Sequence, residues 1–190
     1  MKKLHSLLVL VSLSVAATNA QDIQIGAKAG LNLGTLTDYS DAGSRVSLHL
    51  GGMAEIPIKE KFSIQPELLY SAQGVTDKDD DDEVVKLSYL TIPVMAKYYV
   101  YETLSIEAGP QFGFLLSAEA EDDGETFDLK DDTKSLDFGI AIGAGYKLEN
   151  GVNFGIRYYM GSNINDIDED PDKHKNRVFQ ISVGYFFKTL

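Results

Sequence analysis

Eight ionisable side chains define the chemistry open to this sequence: Lys28, Glu55, Glu67, Lys97, Glu107, Asp137, Lys147 and Arg157. Each lies in a stretch where apolar residues recur at every second position, and each falls on the opposite parity from those apolar residues. Four positive and four negative groups on one face would wreck a hydrophobic interior, yet they can pair inside a narrow wet one. Two uses follow from that placement: a gated ion path or small polar site, or a set of salt bridges that plugs the space. The plug is the stronger reading if eight strands enclose the space, because the interior of so small a barrel is just filled by side chains.

Two further groupings could do chemistry. Four polar segments hold two, six, eight and five of the 29 carboxylates, including Asp79-Asp80-Asp81-Asp82 and the set Asp166, Asp168, Glu169, Asp170 and Asp172. Oxygen-rich loops suit divalent cations, but neither run has the EF-hand order with its central Gly and distal Glu. The alternative is a solvated loop that exchanges cations with anionic lipid. Ser47 and His49 share a strand face, and His174 lies in a charged loop. Residues two apart on a strand do not automatically bond, and no orienting acid accompanies them, so a hydrolase pair is a poor reading and the chain is expected not to be an enzyme. No cofactor is implied.

The elements that position these groups are strands. Apolar residues occupy the odd positions from Ile25 to Leu33, the even positions from Leu48 to Ile58, and the even positions from Phe62 to Ala72. The same period of two runs through Leu90 to Val100, Leu104 to Leu116, Leu136 to Leu148, Val152 to Met160 and finally Phe179, Ile181, Val183, Tyr185 and Phe187. These eight strands are joined alternately by long acidic links and short turns, the third long link running from Glu119 to Lys134. Glu149-Asn150-Gly151 carries the Asn-Gly pair typical of a tight hairpin. Counting back from the short turns sets Lys97 opposite Glu107, Met53 opposite Glu67 with Glu55 one diagonal step away, and Gly143 opposite Arg157. Lys97 and Glu107 are therefore expected to meet across their hairpin. Pro57, Pro66, Pro93 and Pro110 interrupt strand patterns, which calls for bulges or strand ends there.

Even strand number, alternating short and long links and charged inward faces specify an all-β fold: an eight-stranded antiparallel up-and-down transmembrane barrel. A water-soluble barrel would bury the apolar face instead. Met1-Lys2-Lys3, the apolar block Leu7 to Val15 and Thr18-Asn19-Ala20 read as a cleavable signal peptide over residues 1–20, leaving one barrel domain at 21–190. Loss of Lys2 and Lys3 takes the net charge from -12 to -14, which argues against a nucleic-acid partner. Zero cysteines exclude disulfides and thiolate metal sites. Tyr70, Tyr98, Tyr146, Tyr158, Phe62, Phe154, Tyr185 and Phe187 are placed to form interfacial aromatic girdles.

Gly30-Leu31-Asn32-Leu33, Gln65-Pro66-Glu67-Leu68-Leu69-Tyr70 with Gln73-Gly74, Tyr89-Leu90-Thr91-Ile92-Pro93-Val94, Glu107-Ala108-Gly109-Pro110, and Asp137-Phe138-Gly139 with Gly143-Ala144-Gly145 carry a resemblance. In their order and spacing they resemble the PorT family of outer-membrane β-barrels typical of Bacteroidetes, over nearly the whole mature chain. The resemblance implies an eight-stranded barrel in the outer membrane of a Gram-negative bacterium, with some relatives tied to a protein secretion and maturation system. The expected role is thus a monomeric barrel with a filled lumen and acidic outer loops, structural or surface-binding. A component of a secretion or assembly complex and a small-solute channel are the alternatives. Expected partners are outer-membrane lipid, barrel-assembly machinery, and either divalent cations or a secretion complex. The closing strand Phe179 to Phe187 resembles the carboxyl-terminal assembly signal of such barrels, except that Lys188-Thr189-Leu190 follow its last aromatic residue. Either the register is offset there or a short tail remains.

Overall fold

Alternation of side chains across a pleat leaves each strand with one apolar and one polar face, and only closure satisfies every backbone group when the surroundings are lipid. The computed structural model of the protein describes residues 23–37, 43–78, 83–122, 124–163 and 175–190. It contains β1 (Gln24–Leu36), β2 (Arg45–Lys59), β3 (Phe62–Thr76), β4 (Val84–Tyr99), β5 (Leu104–Asp122), β6 (Glu125–Asp128), β7 (Leu136–Lys147), β8 (Val152–Asn163) and β9 (Lys175–Thr189). Chain neighbours pair antiparallel from β1 to β5, β5 goes on to β7, and β7, β8 and β9 follow in order. β9 then pairs with β1 along nearly its full length, which removes both edges.

The sheet therefore has nine strands, of which eight form the ring. β6 pairs only with the Glu119–Asp122 end of β5. The segment from Glu119 to Lys134, expected to be loop throughout, instead begins as strand and folds back as a short hairpin. Gly124 at φ +83° makes that reversal possible, since left-handed backbone favours glycine. Alternation of hydrophobicity could not reveal β6, because all four of its residues are exposed.

Burial is inverted relative to a water-soluble barrel. Ile106, Ile140, Ile156 and Ile181 are about half exposed, whereas Glu55, Glu67 and Arg157 are almost fully covered. Contiguous exposed apolar surface of this extent, carried on the outer faces of the strands, marks contact with a non-aqueous medium. No helix among the described residues is long and apolar enough to cross a membrane. The tyrosines and phenylalanines expected in girdles face outward, with Phe62 beside Tyr98 and Tyr146 beside Phe154 across their ladders.

The prolines behave differently from expectation. Only Pro57 adjoins a register shift, between Pro57 and Lys59. Pro66, Pro93 and Pro110 instead sit beside skipped rungs: the β3–β4 ladder passes from Pro66–Val94 to Leu69–Thr91, and β4–β5 from Pro93–Gln111 to Ala96–Ala108. A missing N–H removes a rung without requiring an extra residue, so the register on either side is kept. The other shifts lie away from the prolines. One is between Ser88 and Tyr89, and another is between Ile25 and Gly26.

That second shift settles the chain end. Gly26 pairs with Phe186 and Ile25 with Lys188, so Phe187 is the extra residue and the strand continues to Thr189. The offset register, rather than a free tail, accommodates Lys188 and Thr189. Phe179, Ile181, Val183, Tyr185 and Phe187 all lie on the exposed outer face.

Candidate functional site in the lumen

The inward faces stack into tiers along the barrel axis. Nearest the short turns, Glu55 from β2 accepts from Lys97 Nζ at 3.1 Å, Lys147 Nζ at 2.8 Å and the Tyr99 hydroxyl at 2.6 Å. Lys147 also donates to Gln24 Oε1 at 3.0 Å, and its ammonium lies 5.2 Å from the Tyr99 ring centroid. Below this tier, the short-turn end opens into a vestibule of about 1090 Å³ lined by residues including Glu55, Ser63, Tyr99, Tyr101, Glu102 and Lys147.

The middle tier is built on Arg157 from β8. Its Nη1 and Nη2 grip Glu67 on β3, each at 3.0 Å, while Nε and Nη2 reach Glu107 on β5 at 3.0 and 2.8 Å. Planar guanidinium donors matched to a carboxylate make the strongest kind of charge-assisted contact. Lys28 from β1 completes the set by donating to Glu67 at 3.2 Å. Gln65 joins the two tiers, donating to Glu67 at 2.6 Å and accepting from Lys97 at 3.0 Å.

The expected registers are present: Lys97 faces Glu107, Met53 faces Glu67 and Gly143 faces Arg157. The expected contact between Lys97 and Glu107 is not. Glu107 faces Gly143, which faces Arg157, so the two charges bridge a strand that carries no side chain between them. A Cβ built on Gly143 would lie 3.2 Å from Glu107 Oε1 and 2.3 Å from the Ile156 carbonyl. Lys97 turns the other way, to Glu55. Glycine at one rung thus redirects the pairing of its neighbours.

Asp137 departs from the expected pattern. It accepts from Ser162 N at 3.1 Å, Ser162 Oγ at 3.4 Å and Asn176 Nδ2 at 3.1 Å, and no cation pairs with it among the described residues. Above the ion pairs, neutral groups take over. His49 Nδ1 faces Asn32 Oδ1 at 2.8 Å, Gln180 donates to the same oxygen at 2.9 Å, and Asn32 donates to Ser71 Oγ at 3.0 Å. Ser47 donates to the Ala72 carbonyl at 2.6 Å, so Ser47 and His49 are engaged with different partners. At the long-loop end the interior turns apolar, with Leu36, Val75, Leu87, Tyr89, Leu115 and Ala118 in one buried cluster and Leu129 packed on it.

Tyr99, Gln65, Gln24 and Asn176 belong to these tiers although charge alone did not single them out. Inward parity was their signal: a hydroxyl or amide on the charged face of a filled barrel has to bond something. Asp79 to Asp82, Asp166 to Asp172 and His174 lie outside the described residues. Among the described ones no group of three His, Asp or Glu is placed to hold a metal, and Lys86 pairs with Glu121 at the partly exposed rim. Residues 1–20, expected to be a signal peptide, also lie outside the described part.

The model of the outer membrane protein beta-barrel domain family matches residues 19–169. Comparison with curated proteins gives no match. Among solved structures, the chain is similar to Neisserial surface protein A, with 11% identity over 87% of this chain and 97% of that one at a TM-score of 0.55. It is similar also to Ail, the attachment invasion locus protein of Yersinia pestis, with 10% identity over 88% and 99% of the two chains at a TM-score of 0.52. At such identities the likeness is one of fold. Nothing in that match is specific to the PorT resemblance carried by the motifs. With a closed ring, an apolar outer face, a polar interior and a family match over most of its length, the chain belongs to the outer membrane protein beta-barrel domain family and resides in the outer membrane of a Gram-negative bacterium.

Proposed function

We propose that the protein is a monomeric, non-enzymatic barrel whose lumen is filled by side chains and whose work is done outside it, in a structural or surface-binding role. The observation that supports this most directly is Arg157, which crosses the interior from β8 to reach Glu67 on β3 and Glu107 on β5. The tier at Glu55 beneath it and the apolar cluster above it favour the same reading, since each places buried side chains in the interior at a different height. Ser47 and His49, the pair a hydrolase would need, are each bonded elsewhere. The carboxylate-rich links on the long-loop side would supply a strongly negative field that recruits divalent cations or basic partners and repels acidic ones. The proposal includes removal of residues 1–20, passage through the barrel-assembly machinery by way of the Phe179 to Phe187 strand, and an outer wall solvated by lipid.

Planar-bilayer recording of the purified barrel tests the filled lumen. No steady conductance steps are expected at neutral pH. Reproducible single-channel steps would overturn it and favour a small-solute channel.

A second reading rests on the PorT-like motifs, such as Gln65-Pro66-Glu67-Leu68-Leu69-Tyr70 and Glu107-Ala108-Gly109-Pro110. Under it the barrel is a component of a secretion or assembly complex. Crosslinking in cells followed by co-purification separates the two, because a lone barrel would bring down no stoichiometric protein partner.

A further inference from the structure

We propose that the vestibule at the short-turn end binds a small organic monocarboxylate with a flat apolar body, through the Lys147 ammonium and the Ser63 hydroxyl. The floor of this cavity carries one positive charge in excess. Lys97 Nζ at 3.1 Å and Lys147 Nζ at 2.8 Å share the single carboxylate of Glu55, and no other carboxylate pairs with either among the described residues. Protonation of Glu55 would enlarge that excess rather than remove it. Lys97 is covered and held by Glu55 and Gln65, whereas the Lys147 side chain is 22% exposed and lines the cavity. An ammonium has three donors, and Lys147 uses one on Glu55 and one on Gln24. The third is left for a ligand. The rings of Tyr99 and Phe186, 5.2 and 5.4 Å from Nζ, hold the ammonium in position.

A second donor lines the same cavity. Ser63 is 3% exposed, and its hydroxyl has no hydrogen-bond partner among the described residues. Buried hydroxyls are in the large majority bonded, so this one is available to a ligand. The β3–β4 ladder sets Ser63 opposite Lys97, which places the hydroxyl in the tier that carries the excess charge. With about 1090 Å³ the cavity has room for a small molecule and its water. Its walls decide the class of anion. Pro57, Ile58, Tyr99, Val100 and Tyr101 supply apolar and aromatic surface, which a bare chloride would leave unused and a flat apolar body would cover. At the mouth Lys59 and Lys61 are balanced by Glu60 and Glu102, so the floor alone selects the charge. One excess positive charge matches one carboxylate, whereas a phosphate dianion would bring a negative charge without a partner. The site lies below the filled tiers and needs no open path through the barrel.

Amide NMR of the barrel in nanodiscs of zwitterionic lipid, titrated with benzoate at fixed pH and ionic strength, tests the site. The amides of Ser63, Tyr101 and Lys147 should shift saturably, while benzyl alcohol, similar in shape but neutral, should produce no saturable shift. Lys147→Met removes the excess charge yet leaves Lys97 matched to Glu55, so the barrel should fold and the saturable shift should vanish. Ser63→Ala should raise the dissociation constant about tenfold. Absence of saturation by benzoate below about 10 mM, equal binding of benzyl alcohol, or undiminished binding in K147M would overturn the proposal. Should K147M fail to fold, S63A decides: a rise in the dissociation constant of about fivefold or more supports the site, and a smaller one refutes it.

Discussion

Replacing Arg157 by Ala removes one of two cations from a closed set of two cations and two carboxylates. Four hydrogen bonds disappear, two to Glu67 and two to Glu107. Lys28 still holds Glu67 at 3.2 Å, so the burden falls on Glu107, whose side chain is 5% exposed and which has no other cation among the described residues. Stranding one member of a buried pair costs about 3 to 5 kcal/mol. At about 2 to 4 °C per kcal/mol for a chain of this size, the midpoint should fall by about 6 to 20 °C. The pair Lys86–Glu121 is the control, since its side chains are 39% and 35% exposed. Lys86→Ala should cost no more than about 1 kcal/mol. The sequence contains no Trp, so far-UV circular dichroism and the electrophoretic shift between folded and unfolded barrel are suitable assays. Adding Glu107→Gln to Arg157→Ala removes the stranded charge and leaves Lys28 matched to Glu67, so the double variant should be more stable than R157A alone. The reasoning fails if R157A melts within about 1 °C of the wild type, or if E107Q destabilises R157A as much as it destabilises the wild type.

Two further outcomes follow from the same geometry. Gly143→Val would press its Cβ on the Ile156 carbonyl at 2.3 Å and on Glu107 at 3.2 Å; it should destabilise strongly and, because the backbone clash does not involve the Arg157 side chain, keep most of its effect in an R157A background, which a double-mutant cycle in urea would measure. Ile181→Lys, on the half-exposed outer face, should weaken folding into lipid vesicles by about 2 to 4 kcal/mol if it lies near the bilayer midplane, and a change under about 0.5 kcal/mol, typical of an ordinary surface site, would contradict the assignment of that face to lipid.

Much of the architecture was legible from local rules. A period of two assigns every side chain of a strand to one face, and a short turn fixes the register of the two strands it joins. Those two rules by themselves place Met53 opposite Glu67, Lys97 opposite Glu107 and Gly143 opposite Arg157, and all three alignments are found in the ladders. They also separate an apolar outer wall from a charged interior, which together with the even alternation of links implies closure. Where a segment lacked that alternation, as in Glu125 to Asp128, strand pairing was invisible, because β6 is ordered by its hairpin with β5 rather than by burying a face.

Which charges meet was decided only by the tertiary structure. Residues 157 and 67 are 90 apart in the chain and lie on strands that are not neighbours in the sheet, yet closure of a narrow ring brings their side chains together across the lumen. Cross-strand register orders residues along a ladder, whereas the partner a long Lys or Arg selects depends on curvature, on reach and on which neighbouring rung is empty. Gly143 vacates such a rung and lets Glu107 turn to Arg157, while the same curvature leaves Asp137 among neutral donors. Sequence alone determines the face and the rung, because both are periodic and local; the contacts across the interior are set by ring closure, to which all eight strands contribute at once.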